Sequence, residues 1–190
     1  MSPRYVCIDF ETNGFPKKGA PSQDWPLPFS SYPTQLSVDV VEDGEVWHAF
    51  DAIIAGATQM APWVRANVPI SLEDVAGGRP FEDVVKELAG VLRENDTIVA
   101  HNASFDLGTV LARTSRRLEY YSHELQWVLS APRFCTMRCA YSQAVLGRQP
   151  GLKDLCKHFE VELDGAHDAR ADSAALARCV AQALRRGVML

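Results

Sequence analysis

Tyr5, Val6, Cys7 and Ile8 form an unbroken apolar run near the start of the chain, the pattern of a strand covered on both faces. Acids then appear at alternate positions, Asp9 and Glu11, on either side of Phe10. Side chains alternate across a strand, so the two carboxylates share a face, with Cα atoms roughly 6–7 Å apart. Two acids on one face of a buried strand repel each other and lose hydration unless something compensates, and a divalent cation would. A strand that ended at Ile8 would instead release both acids into a solvated turn. Further on, Gln35–Val41 and Val46–Ile54 alternate as strands, with Leu36, Val38 and Val40 on one face and Asp43-Gly44 between them as a hairpin turn. Phe81, Val84, Val85, Leu88 and Leu92 recur at helical spacing behind Pro80, which suits a helix start. Thr97–Ala100 is a short buried strand, and Leu107, Val110, Leu111, Thr114 and Leu118 mark the apolar stripe of a helix. A last helix carries Ala169, Asp172, Leu176, Val180 and Leu184 at spacings of three and four.

Between these elements lie two irregular stretches. Phe15 to Pro33 holds prolines at 16, 21, 26, 28 and 33, together with Lys17, Lys18, Trp25 and Phe29. Loops of that length inside compact domains are often functional, although a surface insertion with tucked aromatics has the same composition. Thr58 to Gly78 reads as loop with a short helix near Trp63.

Composition changes this picture little. With 190 residues, 47% hydrophobic and 23% charged, the chain fits one soluble domain over residues 1–190. No apolar run approaches the roughly 18 residues that span a bilayer, and the chain enters its first strand too soon after Met1 for a signal peptide. Five cysteines at 7, 135, 139, 156 and 179 follow no framework spacing, which points to reduced thiols and a cytoplasmic location. Cys135 and Cys139 lack the paired spacing of a zinc site. The net charge of −5 is uneven: residues 1–100 hold 7 basic and 15 acidic residues, residues 101–190 hold 12 and 9. An enzyme gripping only a strand end needs few phosphate contacts, so this balance neither supports nor excludes nucleic acid as a partner.

Two further clusters carry chemistry. His101, Asn102, Phe105 and Asp106 follow the strand at Thr97–Ala100, where ligands bind in open α/β sheets. Asp106 alone could be a helix-start acid favoured by the dipole. His167 precedes Asp172 by five residues, about 500° of helix or a net 140°, so it belongs on the loop before the last helix. Asp172 falls on that helix's apolar stripe, where an unpaired carboxylate is expensive and a buried partner or metal is the better reading.

In order and spacing, Asp9-x-Glu11-Thr12, His101-Asn102-x-x-Phe105-Asp106 and His167-x4-Asp172 resemble the three motifs of the DEDDh family of 3′-to-5′ exonucleases. That family includes polymerase proofreading subunits, RNase T and three-prime repair exonucleases, and the resemblance covers nearly the whole chain. It implies a three-layer α/β/α ribonuclease-H-like fold with a mixed sheet of about five strands, its acids converging from strand one and two helices at one edge of that sheet. It further implies two Mg²⁺ or Mn²⁺ ions held by Asp9, Glu11, Asp106 and Asp172. Asp9 would touch both ions, Glu11 and Asp172 the one near the attacking water, and Asp106 the one near the leaving oxygen. His167 would be the general base that takes the water's proton, since imidazole titrates near neutrality.

Substrate contacts expected from the resemblance are Thr12, Gly14, Phe15, Asn102 and Phe105, with Phe15 as an apolar wedge against the last base. Expected partners are nucleic-acid 3′ ends, single-stranded or frayed, and a homodimer is admitted. DNA is the leading substrate, with RNA 3′ ends as the rival and a non-catalytic binding module of the same fold behind both. The loop after Phe15 is longer than in compact family members. The end of the chain at Leu190 leaves no long tail of the kind that holds a polymerase, so a free-standing enzyme is expected. If Lys17 and Lys18 meet the substrate backbone, replacing both should weaken binding of long oligomers and flatten its salt dependence. Unchanged affinity and slope in a salt titration would reduce the loop to a surface insertion.

Overall fold

The computed structural model describes residues 3–15, 31–165 and 167–188. Lys17, Lys18, Trp25 and Phe29 lie outside the described residues. The strands are β1 (Arg4–Thr12), β2 (Pro33–Glu42), β3 (Glu45–Ile53), β4 (Thr97–Ala100) and β5 (Arg133–Cys135). They form one mixed sheet in the order β3-β2-β1-β4-β5. β1 runs antiparallel to β2 and parallel to β4, so the strand bearing Asp9 and Glu11 is central. The acids therefore converge at the carboxyl end of the middle strand, not at an edge of the sheet as expected. A parallel neighbour drawn in from far along the chain is what moves β1 to the middle.

Helices follow as α1 (Pro62–Asn67), α2 (Leu72–Ala76) and α3 (Phe81–Val91), then a wide π-helical segment Ser104–Ala112 that runs into α4 (Arg113–Arg117). After these come α5 (His123–Ser130), α6 (Ala140–Leu146), α7 (Leu152–Phe159) and α8 (Ala169–Arg185). Val6, Ile8 and Phe10 of β1, with Leu36, Val38 and Val40 of β2, pack on one face against α3, the π-helical segment and α5. Cys7, Val41 and Val99 pack on the other against α7 and α8. That is the three-layer α/β/α arrangement. Met60, Val64, Val68, Ile70 and Val75 make a small separate cluster beneath α1 and α2.

Local chemistry accounts for most element ends. Asp43 and Gly44 sit at φ 55° and 78°, the left-handed pair that a two-residue hairpin turn requires. Pro80 caps α3, and Ser71 with Asp74 forms a reciprocal capping box for α2, a helix absent from the sequence reading. The polar face of β2 is not solvated; α8 covers it. Gln35 donates from Nε2 to Asp168 Oδ1 at 3.1 Å and accepts at Oε1 from the Ala169 N–H at 3.1 Å. Ser173 donates from Oγ to the buried Asp39 carboxylate at 2.6 Å, and Arg170 pairs with Asp51 at 2.6 Å. Small residues along α8, among them Ala175, Ala177 and Ala181, let it sit close to the sheet, while Leu184 faces outward rather than joining the stripe. All five cysteines are free thiols. Cys135 donates to the His101 carbonyl and Cys139 caps α6.

Candidate active site

The three motifs meet in one cavity of about 190 Å³ at the end of β1. Asp9, Glu11, Asp106, Asp172 and His167 all line it, with Thr12, Phe15, His101, Asn102 and Phe105 around them. Alternation along β1 sends Asp9 and Glu11 toward the α8 face, where the first turn of α8 presents Asp172. Immediately after Glu11 the β1–β2 register shifts, a bulge of the kind that re-aims side chains beside active sites.

Asp106 arrives differently. The parallel pairing of β1 with β4 stops at Cys7 and Val99, so the Phe10 N–H has no strand partner on that side. It donates instead to Asp106 Oδ1 at 3.2 Å, which fixes the third carboxylate against β1. The wide turns of the π-helical segment carry Asp106 inward, a helix form that recurs at functional sites.

Crowding shows in the proton affinities. Asp9 is pushed well above the usual carboxylate range, chiefly by burial and then by Asp106, Asp172 and Glu11. Burial, followed by Asp172, Asp168 and Asp106, raises Glu11 to about 8. Burial raises Asp106 to about 7 against the pull of the Phe10 N–H. Asp172 is raised by burial, with the His167 N–H (3.3 Å to Oδ2) pulling the other way. Asp172 Oδ1 is buried with no hydrogen-bond partner. An orphaned carboxylate oxygen among hard, crowded oxygen donors fits a divalent cation of the magnesium type. One donor atom each from Glu11, Asp172 and His167 lies within 4.8 Å of the other two.

The two histidines differ. His101 is part-buried with both ring nitrogens engaged, Nε2 at 2.9 Å from the Pro150 carbonyl and Nδ1 at 2.9 Å from Thr136 Oγ1. A carbonyl only accepts, so Nε2 carries the proton and Nδ1 takes the threonine hydroxyl's. His101 thus ties β4 to the turn before α7, and burial lowers its pKa. His167 is exposed, on the loop before α8, at φ 69°.

Of the expected substrate contacts, Phe15 is 61% exposed and its ring stands 6.2 Å from that of Phe105. Asn102 lines the cavity while its carbonyl accepts from the Phe105 and Asp106 N–H groups, opening the π-helical segment. Thr12 lines it too, but its hydroxyl is spent on the Gly14 carbonyl at 3.1 Å, and Gly14 is buried without lining the cavity. Trp63, Leu152, Gln35 and Asp168 were not singled out by sequence reasoning. Trp63 and Leu152 line the cavity, and Gln35 with Asp168 seats the first turn of α8. An exposed tryptophan behind Pro62 in a polar loop was the available signal for the first.

An exonuclease family model, that of RNase T, matches residues 6–180. The chain belongs to this family. The family makes it an exonuclease domain, and its fold is that of solved 3′-exonucleases. Relatives of the domain include the PolC-type DNA polymerase III of Streptococcus mutans serotype c, 26% identical over 174 residues, which cover 92% of this chain and 11% of that protein. The chain thus spans about a tenth of the length of the curated relatives it matches. Among solved structures, a full-length 3′-exonuclease superposes with TM-score 0.74 at 16% identity, over 98% of this chain and 84% of that one. Pop2p of S. pombe, in a form with bound Mg²⁺ and Mn²⁺, gives 0.67 at 17% identity, over 96% and 83%.

Groups whose folded-state pKa is raised bind more protons folded than unfolded in the window between the two values. For Glu11 and Asp106 that window runs from about 4, the ordinary carboxylate value, to about 8 and about 7 respectively. Stability of the metal-free domain should therefore fall as pH rises through this window and level off above it. Thermal melts in EDTA should show this decline, Asp9→Asn should flatten it, and Mg²⁺ should reverse it. A midpoint independent of pH across this range would contradict the crowding.

Proposed function

We propose that the domain releases nucleoside 5′-monophosphates from the 3′ ends of DNA, with two Mg²⁺ or Mn²⁺ ions held by Asp9, Glu11, Asp106 and Asp172 and with His167 as general base. The observation that carries this reading is the placement of the His167 ring within 4.8 Å of the Glu11 and Asp172 carboxylates, at the mouth of a cavity holding all four acids. Bound there, the ions would supply charge neutralisation at the scissile phosphate and a more acidic water.

The chain's own groups do the rest. Phe15 and Phe105, whose rings meet at 6.2 Å, offer the last base an apolar surface to stack on, which tolerates any sequence. A ring nitrogen of His167 accepts the proton of the attacking water, whose oxygen forms the new bond to phosphorus. The P–O3′ bond breaks in line with it, the 5′-monophosphate departs, and the shortened strand keeps a 3′ hydroxyl that is reprotonated from solvent. The Asp172 carboxylate, bonded to the His167 N–H, keeps the base beside the acids through this step. DNA is favoured because a relative at 26% identity is a DNA polymerase III.

The test is mononucleotide release from matched, end-labelled DNA and RNA oligomers. Release should require Mg²⁺ or Mn²⁺, cease with a 3′-phosphate block and continue with a 5′ block. Asp9→Ala and Asp106→Ala should abolish it while the thermal midpoint holds or rises. His167→Ala should lose roughly two to four orders of magnitude in turnover, the usual range for a general base, and His101→Ala much less. RNA cleaved faster than DNA would overturn the substrate assignment. Equal losses for the two histidines would remove His167 from the chemistry.

A further inference from the structure

Nothing in the three motifs accounts for how the His167 ring is held. Its backbone N–H bonds to Asp172 Oδ2 at 3.3 Å, and its φ of 69° is one that residues other than glycine rarely adopt. These features fix the main chain and leave both side-chain torsions free. Among the described residues, the ring meets Trp63 edge-on, with centroids 4.9 Å apart at an interplanar angle of 79°. Such T-shaped pairs are a favoured aromatic geometry, worth roughly 2- to 12-fold in population.

Trp63 is itself held. α1 is one short helix, but its Val64 is 2% exposed within the small cluster of Met60, Val68, Ile70 and Val75. The Ala61 N–H donates to the Asn13 carbonyl at 2.9 Å, and Asn13 donates from Nδ2 to the Gln59 carbonyl at 3.1 Å. Asn13 is buried, two residues beyond Glu11 on the same strand's continuation. A path of hydrogen bonds and packing thus runs from the acid-bearing strand through Asn13 to α1, whose half-exposed indole meets the imidazole.

We infer that Trp63 is a positioning residue that holds the imidazole of His167 over Glu11 and Asp172, with the acid-bearing strand setting its place through Asn13. This rests on the reading of His167 as general base. Misplacing a catalytic group by about an ångström can cost on the order of 100-fold, so a partial loss of orientation is expected to show in turnover. The bland alternative is that Trp63 merely extends the base-stacking surface, since its ring also stands 5.9 Å from Phe15.

The experiment is a double-mutant cycle on the whole chain with a short DNA oligomer, reading kcat and KM separately. Trp63→Ala should lower kcat roughly 3- to 30-fold with KM within about two-fold, and Trp63→Phe should recover most of the loss. In a His167→Ala background, Trp63→Ala should change kcat by less than about two-fold, because no base is left to orient. A second readout needs no metal and no turnover: the ring-proton NMR shifts of His167 in the metal-free protein should carry a ring-current displacement that Trp63→Ala removes. Additive losses in the cycle, a loss confined to KM, or unmoved His167 shifts would overturn the proposal while leaving the general base intact. A His167→Ala enzyme with wild-type turnover would overturn the general-base reading itself, and this proposal with it.

Discussion

Four carboxylates forced into one small cavity are the constraint around which the domain is built. Like charges out of water repel, and each acid here binds its proton more tightly than usual, chiefly because of burial and, for Asp9 and Glu11, also because of the neighbouring carboxylates. The fold answers with fixed donors at the places it can reach. The Phe10 N–H serves Asp106, the His167 N–H serves Asp172, and the first turn of α8 brings the positive end of a long helix to the cluster. What those donors leave uncompensated, the bare Asp172 oxygen included, is the electrostatic demand that bound cations would meet.

Holding such a cluster requires stiffness from three separate parts of the chain. β1 is clamped on both sides as the middle strand. The π-helical segment is anchored by Leu107, Val110 and Leu111 in the larger core. α8 has no covalent neighbour in the sheet, and a polar seam seats it: Gln35 at its start and Asp39 with Ser173 one turn along. Buried polar contacts of this kind cost desolvation and return directionality, so α8 locks at one height along β2 where an all-apolar contact would let it slide.

Much of this was legible in the residues. The apolar run into Asp9 and Glu11, the Asp43-Gly44 turn, the helix behind Pro80 and the short strand at Thr97 are local patterns, and local patterns survive folding. So is the loop position of His167, which follows from helix geometry alone. What was not legible is relational. Alternation on β2 marks Leu36, Val38 and Val40 as one face but cannot say that α8 covers the other. Strand order depends on a parallel partner some ninety residues away, so the central place of β1 was missed. β5 is three residues long, too short to show a period. The π-helical turns have no compositional mark. Trp63 reaches the cavity because α1 is bonded to the buried Asn13 beyond the end of β1 and packed through Val64.

That asparagine has another consequence. Asn13 donates its N–H to the Tyr32 carbonyl at 2.9 Å and accepts the Tyr32 N–H at Oδ1, 3.0 Å away. The chain therefore departs and returns through one stapled doorway, and β1 and β2 are registered against each other regardless of what lies between. Lengthening a closed segment costs little, about 0.6 kcal/mol per doubling. Insertions beyond Phe15 would thus cost the fold little and leave the four acids where they are. The doorway uncouples the length of that stretch from the register of the two strands on which the acids depend.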